Sequence, residues 1–222
     1  MQLKFQVKIC GITRAEDVRA VINAGGDAIG LNFVRSSPRY VSLELGAQLS
    51  QLAEGMVIRV GVVQNPSPSE LSAIIAQVPL DAVQLHGQEN PELIDSCGHL
   101  PVIKALSWRG DGREEALASA WRTVARSRLN CFLIDAAAHG CAGGIGGGSG
   151  RTANWDLLYP RPAALEALPL VLAGGLRPDN VVQAIQATGC DGVDTASGVE
   201  SSPGIKDAEL MRRFIKLAKS MW

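Results

Sequence analysis

The chain has 222 residues, 46% of them apolar and 19% charged, and its 21 Lys+Arg against 22 Asp+Glu leave a formal net charge of −1. That balance excludes a basic nucleic-acid stripe or an acidic disordered tail as the defining feature, and no apolar run approaches the roughly 20 residues of a membrane helix. Cys10, Cys97, Cys131, Cys141 and Cys190 form no CxxC pair or His/Cys cluster, so no metal site is expected; with no signal-peptide pattern at the start, the expectation is a cytoplasmic chain with free thiols.

In chain order, short apolar strands alternate with amphipathic helices. FQVKIC (5–10) reads as the first strand, followed by a helix opened by Thr13-x-x-Glu16, the spacing of a capping box. DAIGLNF (27–33) is a strand, LELGAQLSQLA (43–53) a helix, VIRVGVV (57–63) a strand, and Ser69 to Gln77 a helix. DAVQLHG (81–87) is a strand, Pro91 to Cys97 a short helix, PVIKAL (101–106) a strand and REEALASAWRTVAR (113–126) a helix. CFLID (131–135) precedes a glycine-rich loop and a poor helix broken by Pro160 and Pro162. LPLVLAGG (168–175) is a strand whose helix is expected to start at Pro178, a residue suited to the first helical position. DGVDTAS (191–197) is the last strand and Asp207 to Ser220 the last helix.

Eight strand–helix pairs demand parallel strands with right-handed crossovers. Closed on themselves they give a (β/α)8 TIM barrel, an α/β fold of one domain spanning 1–222. The open doubly wound sheet is disfavoured because the first strand–helix turn, CGIT, lacks a G-x-G-x-x-G fingerprint.

Chemistry in such barrels sits at the C-terminal ends of the strands, which here are Cys10, Asn32, His86, Leu106, Asp135, Gly174-Gly175 and Ser197-Gly198. The loops AGGLRPDN (173–180) and DTASGVESSPG (194–204) place glycines after strands 7 and 8, where barrels frequently hold phosphate on backbone N–H groups. Cys10 and Asp135 then flank a phosphate held by Gly174, Gly175, Ser197 and Gly198. A thiolate that takes a proton from carbon and a carboxylic acid that gives one to oxygen suit an isomerisation. For that, Cys10 must titrate below ~8.5 and Asp135 above ~3.9. Lys8 shares a strand face with Cys10, so its ammonium is expected either to depress the thiol or to pair with Asp194 inside the barrel. Taken singly, Cys10 also reads as a small core residue and Asp135 as a helix cap.

The stretches VKICGIT (7–13), SPRYVS (37–42), VQLHG (83–87), PVIKA (101–105), FLIDA (132–136), VLAGGL (171–176) and GVDTASGVESSPGIKD (192–207) resemble, in order and spacing, the phosphoribosylanthranilate isomerases of tryptophan biosynthesis. The resemblance implies a (β/α)8 barrel that carries out an Amadori rearrangement without a cofactor. The substrate would be N-(5-phosphoribosyl)anthranilate and the product 1-(2-carboxyphenylamino)-1-deoxyribulose 5-phosphate. It implies Cys10 as general base, Asp135 as general acid, and Arg39 as the residue that holds the anthranilate carboxylate. Gln84 and His86 fall at the mouth of strand 4, and Asp194 fits the GVD pattern; these three join the expected substrate-binding set. A small phosphosugar is the expected partner, with no nucleic acid or membrane, and the expected assembly is a monomer or homodimer.

Three features depart from the pattern: Asn32 in GLNF, Ala196 in place of a first serine, and a loop at 136–154 rich in glycine. The loop ends in Gly148-Ser149-Gly150 and Trp155, and is expected to act as a mobile lid, with Cys141 an incidental thiol. Two alternatives stay open: another phosphosugar isomerase of the same barrel group, or a phosphate-binding barrel that has lost catalysis.

Overall fold

Residues 4–125, 128–135 and 155–222 are described by a computed structural model. Eight parallel strands close in chain order: β1 (Val7–Cys10), β2 (Ala28–Asn32), β3 (Ile58–Val63), β4 (Ala82–Leu85), β5 (Val102–Ser107), β6 (Leu129–Asp135), β7 (Leu170–Ala173) and β8 (Gly192–Thr195). The barrel closes where β8 pairs with β1, setting Lys8 opposite Asp194, while Cys10 stands opposite Gly30 of β2. This is the (β/α)8 architecture expected from the strand–helix alternation. The expected lid, Cys141 and Gly148–Gly150 lie outside the described residues.

The helices among the described residues are α1 (Ala15–Asn23), α2 (Leu43–Ala53), α3 (Pro68–Gln77), α4 (Arg113–Val124), α5 (Val181–Thr188) and α6 (Ala208–Lys219). Where the sequence predicts a short helix after β4, Pro91–Cys97 forms a 3-10 helix, and the proline-broken region after β6 forms two short 3-10 turns. After β8 comes a further 3-10 turn (Ser197–Val199). A small antiparallel pair follows, β9 (Glu200–Ser202) with β10 (Ile205–Lys206). None of the helices is long and apolar enough to cross a membrane.

Local signals are honoured unevenly. The capping box forms at Ser67 and Glu70, with Pro68 opening α3 one residue before the expected start. Thr13 and Glu16 form no such box: the Thr13 hydroxyl donates to the Gly204 carbonyl and Glu16 pairs with Arg14, so tertiary partners outbid the local cap. Pro178 lies in the turn before α5, which begins at Val181 with Asn180 as its cap residue.

Strand alternation sorts side chains into two apolar sets. Ala28, Val60, Val62, Ala82, Ile103, Ala105, Leu133 and Val171 fill the barrel, while Ile9, Ile29, Leu31, Val83, Leu85 and Phe132 pack outward under the helices. Leu106 belongs to the outward set, so the inward residue at the end of β5 is Ser107, one position beyond the expected strand end.

One outward residue is charged. Lys104 is fully buried over the Trp121 ring and donates to the carbonyls of Leu85 and Gly87 and to Glu89 Oε2. Glu89 Oε1 in turn accepts the backbone N–H groups of Asn65 and Gly87, so this pair clips the turns after β3 and β4 to the barrel wall. Removing one partner of such a pair strands a buried charge, and Glu89→Ala is expected to cost about 3–5 kcal/mol in urea unfolding. A loss below about 1 kcal/mol would show that water replaces the carboxylate.

Candidate active site

The C-terminal mouth of the barrel collects the candidate residues from several strand ends. Cys10 closes β1 and is 8% exposed. A Cβ added at Gly30 would lie 2.7 Å from its sulfur, so the thiol occupies space that only glycine leaves on β2. Gly11 turns the chain away at φ +74, and a Cβ there would meet Arg39 Cδ at 2.3 Å. The Arg39 stem therefore lies directly on the turn behind the thiol.

Beneath Cys10, Lys8 Nζ donates to Asp194 Oδ1 at 2.7 Å, with the ammonium wholly buried. Burial disfavours the Lys8 charge, but Asp194 foremost, with Cys10, more than offsets it and holds Lys8 above the ordinary lysine range. For Cys10, burial pushes the thiol up; Lys8 and Lys206 pull it back and Asp194 adds to the rise, leaving a net upward shift. The expected depression by Lys8 is thus corrected: its pull has the expected sign, and desolvation wins.

At the opposite side of the mouth, Asp135 ends β6 and half-exposed His86 follows β4. His86 Nε2 stands 3.8 Å from Asp135 Oδ2, while Gln84 Nε2 lies 2.7 Å from His86 Nδ1. The Gln84 amide thereby orients the His86 ring, with Nε2 the nitrogen nearer Asp135. Gln84 is wholly buried, so its place is beneath His86 rather than at the surface of the cleft. A cleft of about 360 Å³ opens here, lined among others by Gln64, His86, Ser107, Arg109, Arg113 and Asp135. Ser107 was findable by counting two residues on from Ala105, whereas nothing local singled out Gln64, Arg109 or Arg113.

Arg39 lies in the loop after β2, which Asn32 shapes: its Nδ2 donates to Ser37 Oγ and its Oδ1 accepts from Val34 N. Ser37 Oγ also accepts from Arg39 N. The departure at Asn32 therefore builds the turn that carries the arginine. The guanidinium is held by Glu200, a residue the sequence reading assigned no role.

The glycine loops after β7 and β8 pack back to back. Thr195 Oγ1 donates to the Leu176 carbonyl at 2.7 Å, and a Cβ on Gly198 would sit 1.8 Å from that same oxygen. Only glycine fits there. Gly174 and Gly175 both have positive φ, and Ala196 offers its carbonyl to Lys206. No cluster of His, Cys, Asp or Glu able to hold a metal ion is present among the described residues.

Residues 7–217 match the family model described as N-(5′-phosphoribosyl)anthranilate (PRA) isomerase. A protein of Myxococcus xanthus named N-(5′-phosphoribosyl)anthranilate isomerase is 42% identical, over 99% of this chain and 98% of its own. One of the same name from Thiobacillus denitrificans is 39% identical over 98% and 100%. Among solved structures, phosphoribosyl anthranilate isomerase from Thermotoga maritima superposes with a TM-score of 0.83 at 37% identity, covering 97% of this chain and 99% of that one. Another, with a TM-score of 0.80 at 35% identity and the same coverage, holds reduced 1-(o-carboxyphenylamino)-1-deoxyribulose 5-phosphate.

The net upward shift of Cys10 has a direct readout. At pH 8.5, about the ordinary midpoint of a thiol, Cys10 is expected to reach less than half its limiting alkylation rate. Lys8→Met removes a cation and leaves Asp194 unpaired, both of which favour the neutral thiol, so the profile moves further to alkaline pH. An unmoved profile, followed on the Cys10 peptide by mass spectrometry, would exclude Lys8 as an influence on the thiol.

Proposed function

The chain belongs to the N-(5′-phosphoribosyl)anthranilate isomerase family, and we infer that Cys10 and Asp135 are the base and acid with which it performs that isomerisation. The reaction is a step of tryptophan biosynthesis: the aminoaldose N-(5′-phosphoribosyl)anthranilate becomes the aminoketose 1-(o-carboxyphenylamino)-1-deoxyribulose 5-phosphate. The observation that carries the residue assignment is their placement, with Cys10 and Asp135 ending β1 and β6, on either side of the paired glycine loops after β7 and β8.

Asp135 gives its proton to the furanose ring oxygen, the C1–O bond opens, and the anthranilate nitrogen takes up the charge as a protonated Schiff base. The Cys10 thiolate then removes the proton from C2, and the electron pair moves through C1 to neutralise the nitrogen. The enol-amine gains a proton at C1 and loses its C2 hydroxyl proton to become the ketone. These two transfers restore the thiolate and the carboxylic acid. Because burial holds the thiol up, the positive Schiff base supplies an attraction for the thiolate when it is needed.

The phosphate is held by backbone N–H groups of the Gly174-Gly175 loop and the Ser197-Gly198 turn, with the Ser197 hydroxyl. Arg39 faces the anthranilate carboxylate. His86 supports Asp135 from the end of β4, across β5 from β6, Gln84 fixes the His86 ring, and Asp194 acts on the ligand only through Lys8 and Cys10. The working form is a cytoplasmic monomer or homodimer that uses no cofactor.

The test follows loss of anthranilate fluorescence with freshly generated phosphoribosylanthranilate. Cys10→Ser and Asp135→Asn are each expected to lower kcat by at least about a hundredfold, the scale of a lost general acid or base. Wild-type turnover in either variant would remove that residue from its role. Gly198→Ala, which drives a Cβ into the Leu176 carbonyl, is expected instead to act mainly on KM. A kcat effect alone would place phosphate binding elsewhere.

A further inference from the structure

The Arg39 guanidinium is gripped along one edge. Its Nε and Nη2 donate to Glu200 Oε1 and Oε2, each at 2.7 Å, and its side chain is only 18% exposed. Five N–H donors serve a guanidinium; with two committed on this edge, the opposite end, Nη1 and the second Nη2 hydrogen, is left for a ligand. Glu200 is nearly buried and has a second partner: Lys206 Nζ lies 2.8 Å from Oε1 and 2.9 Å from the Ala196 carbonyl. Ala196 leads directly into the Ser197–Val199 turn, and Glu200 follows it.

We propose that Glu200 is a positioning residue that presents the free end of Arg39 to the anthranilate carboxylate and, through Lys206, ties that clamp to the phosphate-binding turn. The proposal rests on the function inferred above and adds the device that joins the substrate's two anionic ends. Arg39 and Glu200 are 161 residues apart in sequence, yet the carboxylate makes their loops one mechanical unit. Charge also favours the arrangement: two cations share one anion, so a net positive charge remains for ligands that bring carboxylate and phosphate. Since the Arg39 stem lies on Gly11, fixing the guanidinium also fixes the bound aromatic end relative to Cys10. Without Glu200 the arginine is free to turn its broad edge elsewhere, and ordering it again on each binding event weakens the complex.

A double-mutant cycle tests this. Glu200→Gln is expected to raise KM for phosphoribosylanthranilate about tenfold while kcat stays within about threefold, the pattern of lost uniform binding. In an Arg39→Ala background the same substitution should cost less than about twofold, because the residue it positions is gone. Glu200→Asp keeps the charge with a shorter reach and should recover part of the KM; it also carries the cycle if Glu200→Gln fails to fold. Equal losses in both backgrounds, or no loss in the parent, would overturn the proposal and reduce Glu200 to a support of the fold. If the parent shows no turnover, the functional inference fails, and calorimetric affinities of the same proteins for the reduced product analogue decide the Glu200–Arg39 coupling separately. Absence of coupling there, or of any binding by the parent, overturns it as well.

Discussion

Closure of the barrel between its first and last strands is the constraint on which the site depends. At that seam Lys8 and Asp194 are register partners and bond at 2.7 Å inside the barrel. Two opposite charges removed from water are tolerable only because each has the other. The pair fixes the height at which β1 meets β8, and so fixes Cys10 beside the glycine-bearing turn after β8. It also shapes the thiol's electrostatics, since burial outweighs the pull of the cation that favours a thiolate and Asp194 works against that pull. Cys10 is therefore governed by placement more than by a standing local charge.

Around that seam the mouth divides into two halves with different construction. On the β1, β2 and β8 side, charged side chains cross-link loops: Arg39, Glu200 and Lys206 connect the turn after β2 to the turn after β8. On the β4 to β6 side, support comes from beneath and from outside the wall, through Gln84 under His86 and Lys104 under the rim. Asp135 stands on one half and Cys10 on the other.

Much of this was legible in the residues. Strand–helix alternation and the missing dinucleotide fingerprint pointed to a closed barrel, and strand ends then nominated Cys10 and Asp135. What escaped was long-range. The Thr13 hydroxyl was lost to a carbonyl 191 residues away, so a sound local cap pattern failed. Alternation put Lys8 on the face of Cys10 correctly, but the sign of the thiol's shift depends on how much water the closed barrel excludes, which no spacing reports. Glu200 and Lys206 lay within a quoted stretch without a role, because their meaning comes from Arg39, distant in sequence. Ser107 was missed for a simpler reason: the strand runs one residue longer than its apolar pattern, and polar strand ends at a mouth look like loop.

The lysine outside the wall carries a further consequence. Lys104 holds the turn bearing His86 with an ion pair and two carbonyl bonds, not with apolar packing alone. Hydration of charged groups becomes less favourable on warming, so the penalty for keeping such a pair dry shrinks with temperature. Apolar contacts gain no comparable advantage. Heat thus acts unequally around the mouth: the rim beneath the histidine keeps its anchorage while greasier parts of the shell soften, and the Asp135 side of the site is the better insulated against it.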